Sequence, residues 1–566
     1  MTEPPASSGP QPPSPRRGQR VLYILTGGAV ALASCALILF LFADNILNGY
    51  LRPKLINLVQ KASGGACSVQ IRQIGLLSSG ALELTDIRFA ADTTAGWEQK
   101  VVPLLASLAH IDVDTVRLSG ISWHRLLMKS GFYASRMEIS SPRIRLRPRT
   151  EGRDTAQVQA PDQSADYLPV ISIERVTLHN GQILIPSTAL GDSSEGISLE
   201  LHGFHLDRSS ARSGDALPFS RDGGFVVTHI ARPSPDSLHI FSVRSIRGSF
   251  ADSVLTIDSL AIHPTLDEEA FARQKIVRLR FDLFFRRLAL AGADLPRLVD
   301  GRAVLLRSVL AEDWTTDIYL DKRMSLDPTP HRRVLPHEAF QRLKIPVRID
   351  SVLLRKGNIS YRERWPTDSE PGVTTFERLS GSILRISNDR SLVRPPTMFE
   401  GTLYAMGEGR LDFTFEYPLL SPTFTMRGRG ALREMKMEAV NRTLVHTKRL
   451  RIREGVIDSI IADVNIRNGS ANGTLLLAYH DFDLEVLTKT AWGEKGLREK
   501  IGTFVANTFK LKSHNPEKGL PLRPVQIQNR WMGDVSFFNF LWITVRGGIG
   551  SVMGFKGDGS PVKPEK

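Results

Sequence analysis

The sequence predicts a mainly β protein, with one amino-terminal transmembrane helix followed by an elongated, repetitive antiparallel β-body and a few short helices. Three observations lead there. A long charge-free run lies near the start, apolar and polar side chains alternate over most of the remainder, and one strand pattern recurs.

Residues 2–20 are rich in Pro, Ser and Gly and end in Arg16, Arg17 and Arg20. They read as a flexible, positively charged tail. From Val21 to Phe42, 22 residues pass without a charge, enough to cross a hydrocarbon core that needs about 20. The arginines before it keep that end cytoplasmic under the positive-inside rule. Arg52 and Lys54 on the other side reduce the asymmetry. Two other readings stand beside an uncleaved helix. A cleaved signal peptide has a shorter apolar region, and Leu41-Phe42-Ala43 is a poor cleavage site. Leu32-Ala33-Ser34-Cys35 resembles a lipobox whose cysteine is lipidated, but Ala36–Phe42 stays apolar where a mature lipoprotein turns polar. Residues 46–62 follow with apolar side chains at helical spacing, and Pro53 is placed to kink or divide that helix.

Beyond residue 68 the dominant period is two. Val277, Leu279, Phe281 and Leu283 alternate with charged residues, as do Leu411, Phe413, Phe415 and Tyr417 with Asp412, Thr414 and Glu416. Such alternation marks strands with one apolar face. His179-Asn180-Gly181 and Arg467-Asn468-Gly469 read as turns. Helical spacing is confined to Leu266–Arg273, Arg433–Leu444 and Leu484–Phe504.

One pattern repeats. Ile173, Val176, Leu178, Gly181, Ile183 and Ile185 return, each displaced by 176 residues, as Ile349, Val352, Leu354, Gly357, Ile359 and Tyr361. A shortened copy runs through Leu450, Ile452, Gly455 and Ile457, and a partial one opens at Val113, Val116 and Leu118. The expected local structure is a strand, a tight turn at Gly181, Gly357 or Gly455, and a returning strand.

The formal net charge is +14, from 73 Lys and Arg against 59 Asp and Glu, which favours anionic partners. No basic run with interleaved aromatics points to nucleic acid. The two cysteines, Cys35 and Cys67, are not expected to pair. No phosphate-binding loop, nucleophile elbow, zinc-protease helix or paired-cysteine zinc motif occurs. The 13 histidines are scattered and read as surface or turn residues. No catalytic residue, metal or cofactor is therefore predicted, and the chain does not read as an enzyme.

Several stretches resemble the AsmA-like superfamily of Gram-negative bacteria, including its uncharacterised branch. They are the anchor followed by a helix and then Val69-Gln70-Ile71; the strand, proline, strand segment from Met137 to Leu146; the glycine repeats; and the run from Gly401 through Asn441 and Gly455 to Tyr479. Phe504–Asn507, Asn515-Pro516 and Phe537–Gly550 are similar in style. The resemblance covers roughly residues 21–550. It implies an inner-membrane anchor, a periplasmic β-body curled around a hydrophobic groove, and a role in moving phospholipid or another anionic envelope lipid towards the outer membrane. Outer-membrane or periplasmic proteins are further partners under that reading, and assembly by protein contacts is its alternative.

The corresponding division is a disordered cytoplasmic tail (1–20), the transmembrane helix (21–43), a first periplasmic β-region (44–335), a second (336–485), a helical and β cap (486–554) and a disordered tail (555–566). Physics supports a groove: an acyl chain of about 16 carbons costs on the order of 12 kcal/mol to expose to water, and an inward apolar face removes that cost. If about 25 strands stack at ~4.8 Å, the body reaches on the order of 120 Å. The same alternation also fits a β-sandwich with a filled core. The lining residues expected for a groove are Val277, Leu279, Phe281, Leu283, Leu411, Phe413 and Phe415. Phe537, Phe538, Phe540 and Trp542 near the carboxyl end are candidates for a membrane interface or for a cap on the core.

Overall fold

A computed structural model describes residues 47–62, 67–91, 108–127, 131–146, 170–185, 193–206, 222–274, 279–299, 301–323, 332–366, 368, 370–390, 395–487, 512–533 and 535–554. Val21–Phe42 lies outside them, as do the two tails, Cys35 and Val277. Among the described residues no helix is long and apolar enough to cross a membrane.

Of the described residues 62% lie in strands and 15% in helices, and the strands form one curled sheet. Its twenty strands are β1 (Cys67–Leu76), β2 (Leu82–Ala91), β3 (Leu108–Ser119), β4 (Phe132–Ser140), β5 (Arg143–Leu146), β6 (Ile171–Ile185), β7 (Ser193–Leu206), β8 (Asp222–Pro233), β9 (His239–Ser249), β10 (Val254–Pro264), β11 (Arg280–Ala291), β12 (Val304–Asp321), β13 (Val347–Arg364), β14 (Gly372–Ser387), β15 (Thr397–Ala405), β16 (Gly409–Tyr417), β17 (Met426–Lys436), β18 (Leu450–Arg467), β19 (Ser470–Val486) and β20 (Val525–Arg530). Each pairs with its sequence neighbour, except that β4 and β5 lie end to end as one strand broken at Ser141-Pro142, both pairing with β3 and β6. At the usual strand spacing the sheet extends about 90 Å along its curl, less than the 25-strand expectation.

The ladder is not wholly antiparallel. β6 runs parallel to β4 and β5, and β13 runs parallel to β12. These two joints open the two copies of the repeated pattern, which lie in β6 and β13. Each joint begins a block of seven strands, β6–β12 and β13–β19. The boundary expected at 335/336 falls in the connection between β12 and β13, across which the ladder continues.

The repeat glycines do not make hairpins. Gly181, Gly357 and Gly455 each lie inside one long strand, at a register shift. The pattern's two three-residue steps are where alternation changes parity. At the second step Asn180 and Lys356 adopt positive φ, 54° and 52°. At the first, Glu174 and Asp350 lie opposite Gly203 (φ 63°) and Arg385 (φ 63°) on the neighbouring strand. A bulge residue turns the next side chain back to the face it would otherwise leave. A strand with two bulges therefore writes the spacing I-x-x-V-x-L-x-x-G.

These bulges line up across strands. Register places His229, Arg244, Ser259, Arg286, Asp313 and Lys356 side by side from β8 to β13. A shorter line joins Arg72, Asp86, Asp114, Ser141 and Asn180. Every second member has positive φ across the antiparallel pairs, and both partners have it at the parallel joints, Asp313 with Lys356 and Ser141 with Asn180; ion pairs join Arg72 to Asp86 (3.4 Å), Arg143 to Asp114 (2.8 Å) and Arg286 to Asp313 (2.8 Å). Bulges bend a strand and raise its twist, so a row of them forms a crease about which the sheet curls.

Among the described residues seven α-helices accompany the sheet: α1 (Arg52–Ala62), α2 (Trp123–Leu127), α3 (Glu268–Ala272), α4 (Leu295–Val299), α5 (Pro336–Gln341), α6 (Asn441–Lys448) and α7 (Phe537–Met553). Pro53 sits at the second residue of α1, just after the junction with a π turn (Leu47–Leu51) that runs directly into it. The helix expected over Leu266–Arg273 is α3. That over Arg433–Leu444 starts later, because β17 continues to Lys436, and Leu484–Val486 belongs to β19.

Asn48 and Asn441 act alike. Asn48 donates from Nδ2 to the Ile74 carbonyl (2.8 Å) and accepts from the Ile74 N–H (2.9 Å). Asn441 makes the same pair with Ile452 (2.7 and 2.8 Å). We expect Asn441→Ala to cost about 1–3 kcal/mol, because both backbone groups of Ile452 lose their partner. A urea midpoint equal to wild type contradicts this.

Candidate functional site

Four buried apolar clusters follow one another along one face of the sheet. The first spans β1–β7 and α1, the second β8–β13, the third β11–β16, and the last β16–β20 with α7. Half-buried Phe250 joins the first pair and Phe415 the last pair. This face carries no second sheet among the described residues. Among the described residues the architecture is therefore one curled sheet and not a two-sheet sandwich. The face is covered by the sheet's own curl and, in places, by helices, and many of its side chains remain half-buried.

The predicted lining residues divide accordingly. Phe281 and Leu283 lie half-buried on β11, and Phe281 stacks on His239 at 4.2 Å between ring centroids. Leu279 precedes β11 and is 52% exposed. Leu411, Phe413 and Phe415 share the apolar face of β16, as expected. Phe413 is buried, with the rings of Phe399 and Phe415 at 4.9 and 5.5 Å, so it serves as packing more than as open lining. The face also takes in Ile359 of the repeated pattern, and Phe285, Trp314, Phe376 and Phe399, which the sequence did not single out.

The histidine expectation needs correction. His239 and His337 are buried, and burial lowers the basicity of both rings. The His337 ring shares a 2.7 Å hydrogen bond with the Tyr417 hydroxyl, which joins α5 to β16.

The carboxyl-terminal candidates split in the same way. On α7, Phe540 is 1% exposed and packs in the last cluster, whereas Phe538 and Trp542 are 71% and 55% exposed. Phe537 is half-buried against Tyr417 and Phe424. One side of the helix caps the core and the other presents aromatic rings.

Polar chemistry concentrates where β12 and β13 end. On the face opposite the apolar one, α3 brings Glu268 and Glu269 over Tyr319. Arg362 joins Asp317 and Glu268, and Arg364 joins Glu269. Arg323 binds Asp321 (2.6 Å) and Glu269 (3.0 Å). Burial alone would raise the Asp321 carboxyl, but hydrogen bonds from Arg323 outweigh it and hold the group below its ordinary value. Burial and Asp321 push the Tyr319 hydroxyl up to about 12. Each carboxylate here is matched by a guanidinium, and the network reads as a latch holding α3 to the sheet. Among the described residues no group of three or more His, Cys, Asp or Glu could hold a metal. A depression of about 480 Å³ lined by Gln70, Arg88, His110 and Asp112 lies on the polar side of β1–β3.

Compared with known proteins, the chain matches no family model and no curated sequence.

Proposed function

We propose that this is a membrane-anchored periplasmic protein that handles phospholipid, or passes it between inner and outer membrane, along the apolar face of its sheet. The observation that carries the reading is a single twenty-stranded ladder with four apolar clusters in succession along one face and no opposing sheet among the described residues. In such a ladder the backbone groups are spent within the sheet, so an acyl chain meets hydrocarbon and few unpaired polar groups. The charge-free run Val21–Phe42 supports the anchor, and the resemblance to AsmA-like proteins supports the compartment and the lipid.

The second reading, an assembly factor that binds partners by strand addition, needs a free sheet edge. At β1 part of that edge is occupied: Asn48 takes both backbone groups of Ile74 and Arg52 donates to the Arg72 carbonyl (2.9 Å).

The test is to purify the full-length protein in mild detergent, analyse bound lipid by mass spectrometry, and place a photo-crosslinking side chain at Leu283. We expect co-purifying phospholipid and crosslinks to acyl chains. Lipid-free protein that takes up no fluorescent phospholipid refutes the proposal.

A further inference from the structure

The apolar face ends, beside α6, in a group of cations. Along β13 the inward residues are Ile359, Tyr361 and Glu363, followed by Trp365; along β12 they are Thr316, Ile318 and Leu320, followed by Lys322. Helix α6 lies on this same face. Thr443 Oγ1 is 2.8 Å from Thr374 Oγ1 and donates to the Val373 carbonyl (2.6 Å). The approach is so close that a Cβ on Gly372 would stand 2.5 Å from the Thr447 methyl. The helix ends at Lys448, which is thereby brought to Trp365. Lys322 Nζ and Lys448 Nζ are 4.2 and 4.8 Å from the indole centroid.

The charges there do not balance. Glu363 pairs with Lys322. Among the described residues no carboxylate comes within ion-pair distance of Lys448 or of Arg546 on α7. The nearby Asp368 is engaged by Arg449 (3.0 Å) and His446 (3.3 Å). The Trp365 indole N–H is buried with no acceptor among the described residues. Burial, and then repulsion from Arg546 and Lys322, depresses the Lys448 ammonium, with Glu363 acting in the opposite sense. A buried donor without a partner is costly, and three cations with one carboxylate between them leave positive charge unmatched, Lys448 and Arg546 reaching solvent; an anion rich in acceptor oxygens answers both.

We propose that Lys322 and Lys448, gathered over Trp365, seat the phosphate of an anionic headgroup whose acyl chains lie along the adjoining apolar face. The inference rests on the lipid-handling reading for its acyl chains, but not for its phosphate. A phosphodiester presents oxygens to two ammonium groups and the indole N–H. Tyr361 and Ile359 then continue from the seat along the sheet.

The experiment compares fluorescent phosphatidylglycerol with fluorescent diacylglycerol of the same chains on the full-length protein in neutral detergent. Wild type is expected to favour phosphatidylglycerol. Lys322→Gln with Lys448→Gln should weaken that probe about tenfold or more and leave diacylglycerol unchanged, and arginine at both positions should restore it. Lys448→Gln alone, at the exposed end of α6, serves if the double variant does not fold. A wild type without preference, or a glutamine variant that keeps it, overturns the seat. If neither lipid probe binds wild type, the groove reading fails separately. The seat is then decided by calorimetry with glycerol 3-phosphate: saturable binding weakened by Lys448→Gln upholds it, and absence of binding overturns it.

Discussion

Gly357→Val is expected to destabilise the centre of the sheet more than any other single glycine substitution in the repeats. A Cβ at Gly357 would stand 2.2 Å from Cε2 and Cζ2 of Trp314. Trp314 is itself buried in the third cluster, beside Phe285, Leu354 and Ile359. The indole has no open side to move to, and the backbone of β13 is held by β12 in one direction and β14 in the other. Overpacking of this kind costs about 1–3 kcal/mol when a side chain can shift, and the upper end or more is expected here. The measurement is the urea midpoint of the full-length protein. Gly547→Ala is the control: nothing lies within 4 Å of its added Cβ on α7, and the helix gains up to about 1 kcal/mol from losing a glycine. Trp314→Leu in the Gly357→Val background should recover part of the loss. A Gly357→Val protein with the wild-type midpoint shows that the strand does not pass so close to the indole.

The second large effect separates the two sides of α7. Phe540→Ala is expected to cost about 3–5 kcal/mol. Its ring lies 5.6 Å from that of Phe424, and the next turn is tied down by the Thr544 hydroxyl, which donates to the Phe540 carbonyl (2.8 Å) and accepts from Asn529 (3.0 Å). Replacing Phe538 and Trp542 together by serine should leave stability within about 0.5 kcal/mol per site, since both rings face outward. If these rings enter a membrane interface, the double variant will float less with phospholipid vesicles than wild type. Equal flotation removes the interfacial role and leaves α7 as a cap alone. A large loss of stability in the double variant contradicts the burial pattern of the helix.

Much of the fold was legible because alternation is written by hydrophobic burial, which acts residue by residue. Leu411 to Tyr417 is strand β16 with the expected side inward. Arg467-Asn468-Gly469 is the expected hairpin turn, with φ of 51° and 76° at Asn468 and Gly469. The same dipeptide at Asn180-Gly181 is not a turn. Asn180 has nearly the same φ, 54°, but the strand carries on. Its neighbour is kinked at the matching place: Ser141 N–H donates to the His179 carbonyl and Gln182 N–H to the Pro142 carbonyl. Local chemistry allowed either outcome, and the adjoining strand chose.

The candidate anion seat was not legible at all. Lys322 follows a strand and Lys448 ends a helix, and no spacing rule connects them. Lys322 and Lys448 meet at Trp365 only because α6 lies on the sheet's apolar face.

By itself the sequence determined that strands would form and which side of the regularly alternating ones would be apolar, because propensity and burial are properties of neighbouring residues. Tertiary structure alone decided that the strands join into one ladder, that two joints are parallel, and that the repeat glycines mark bulges instead of turns. Those outcomes depend on hydrogen bonds between strands, and a backbone group finds its partner only when another strand arrives beside it.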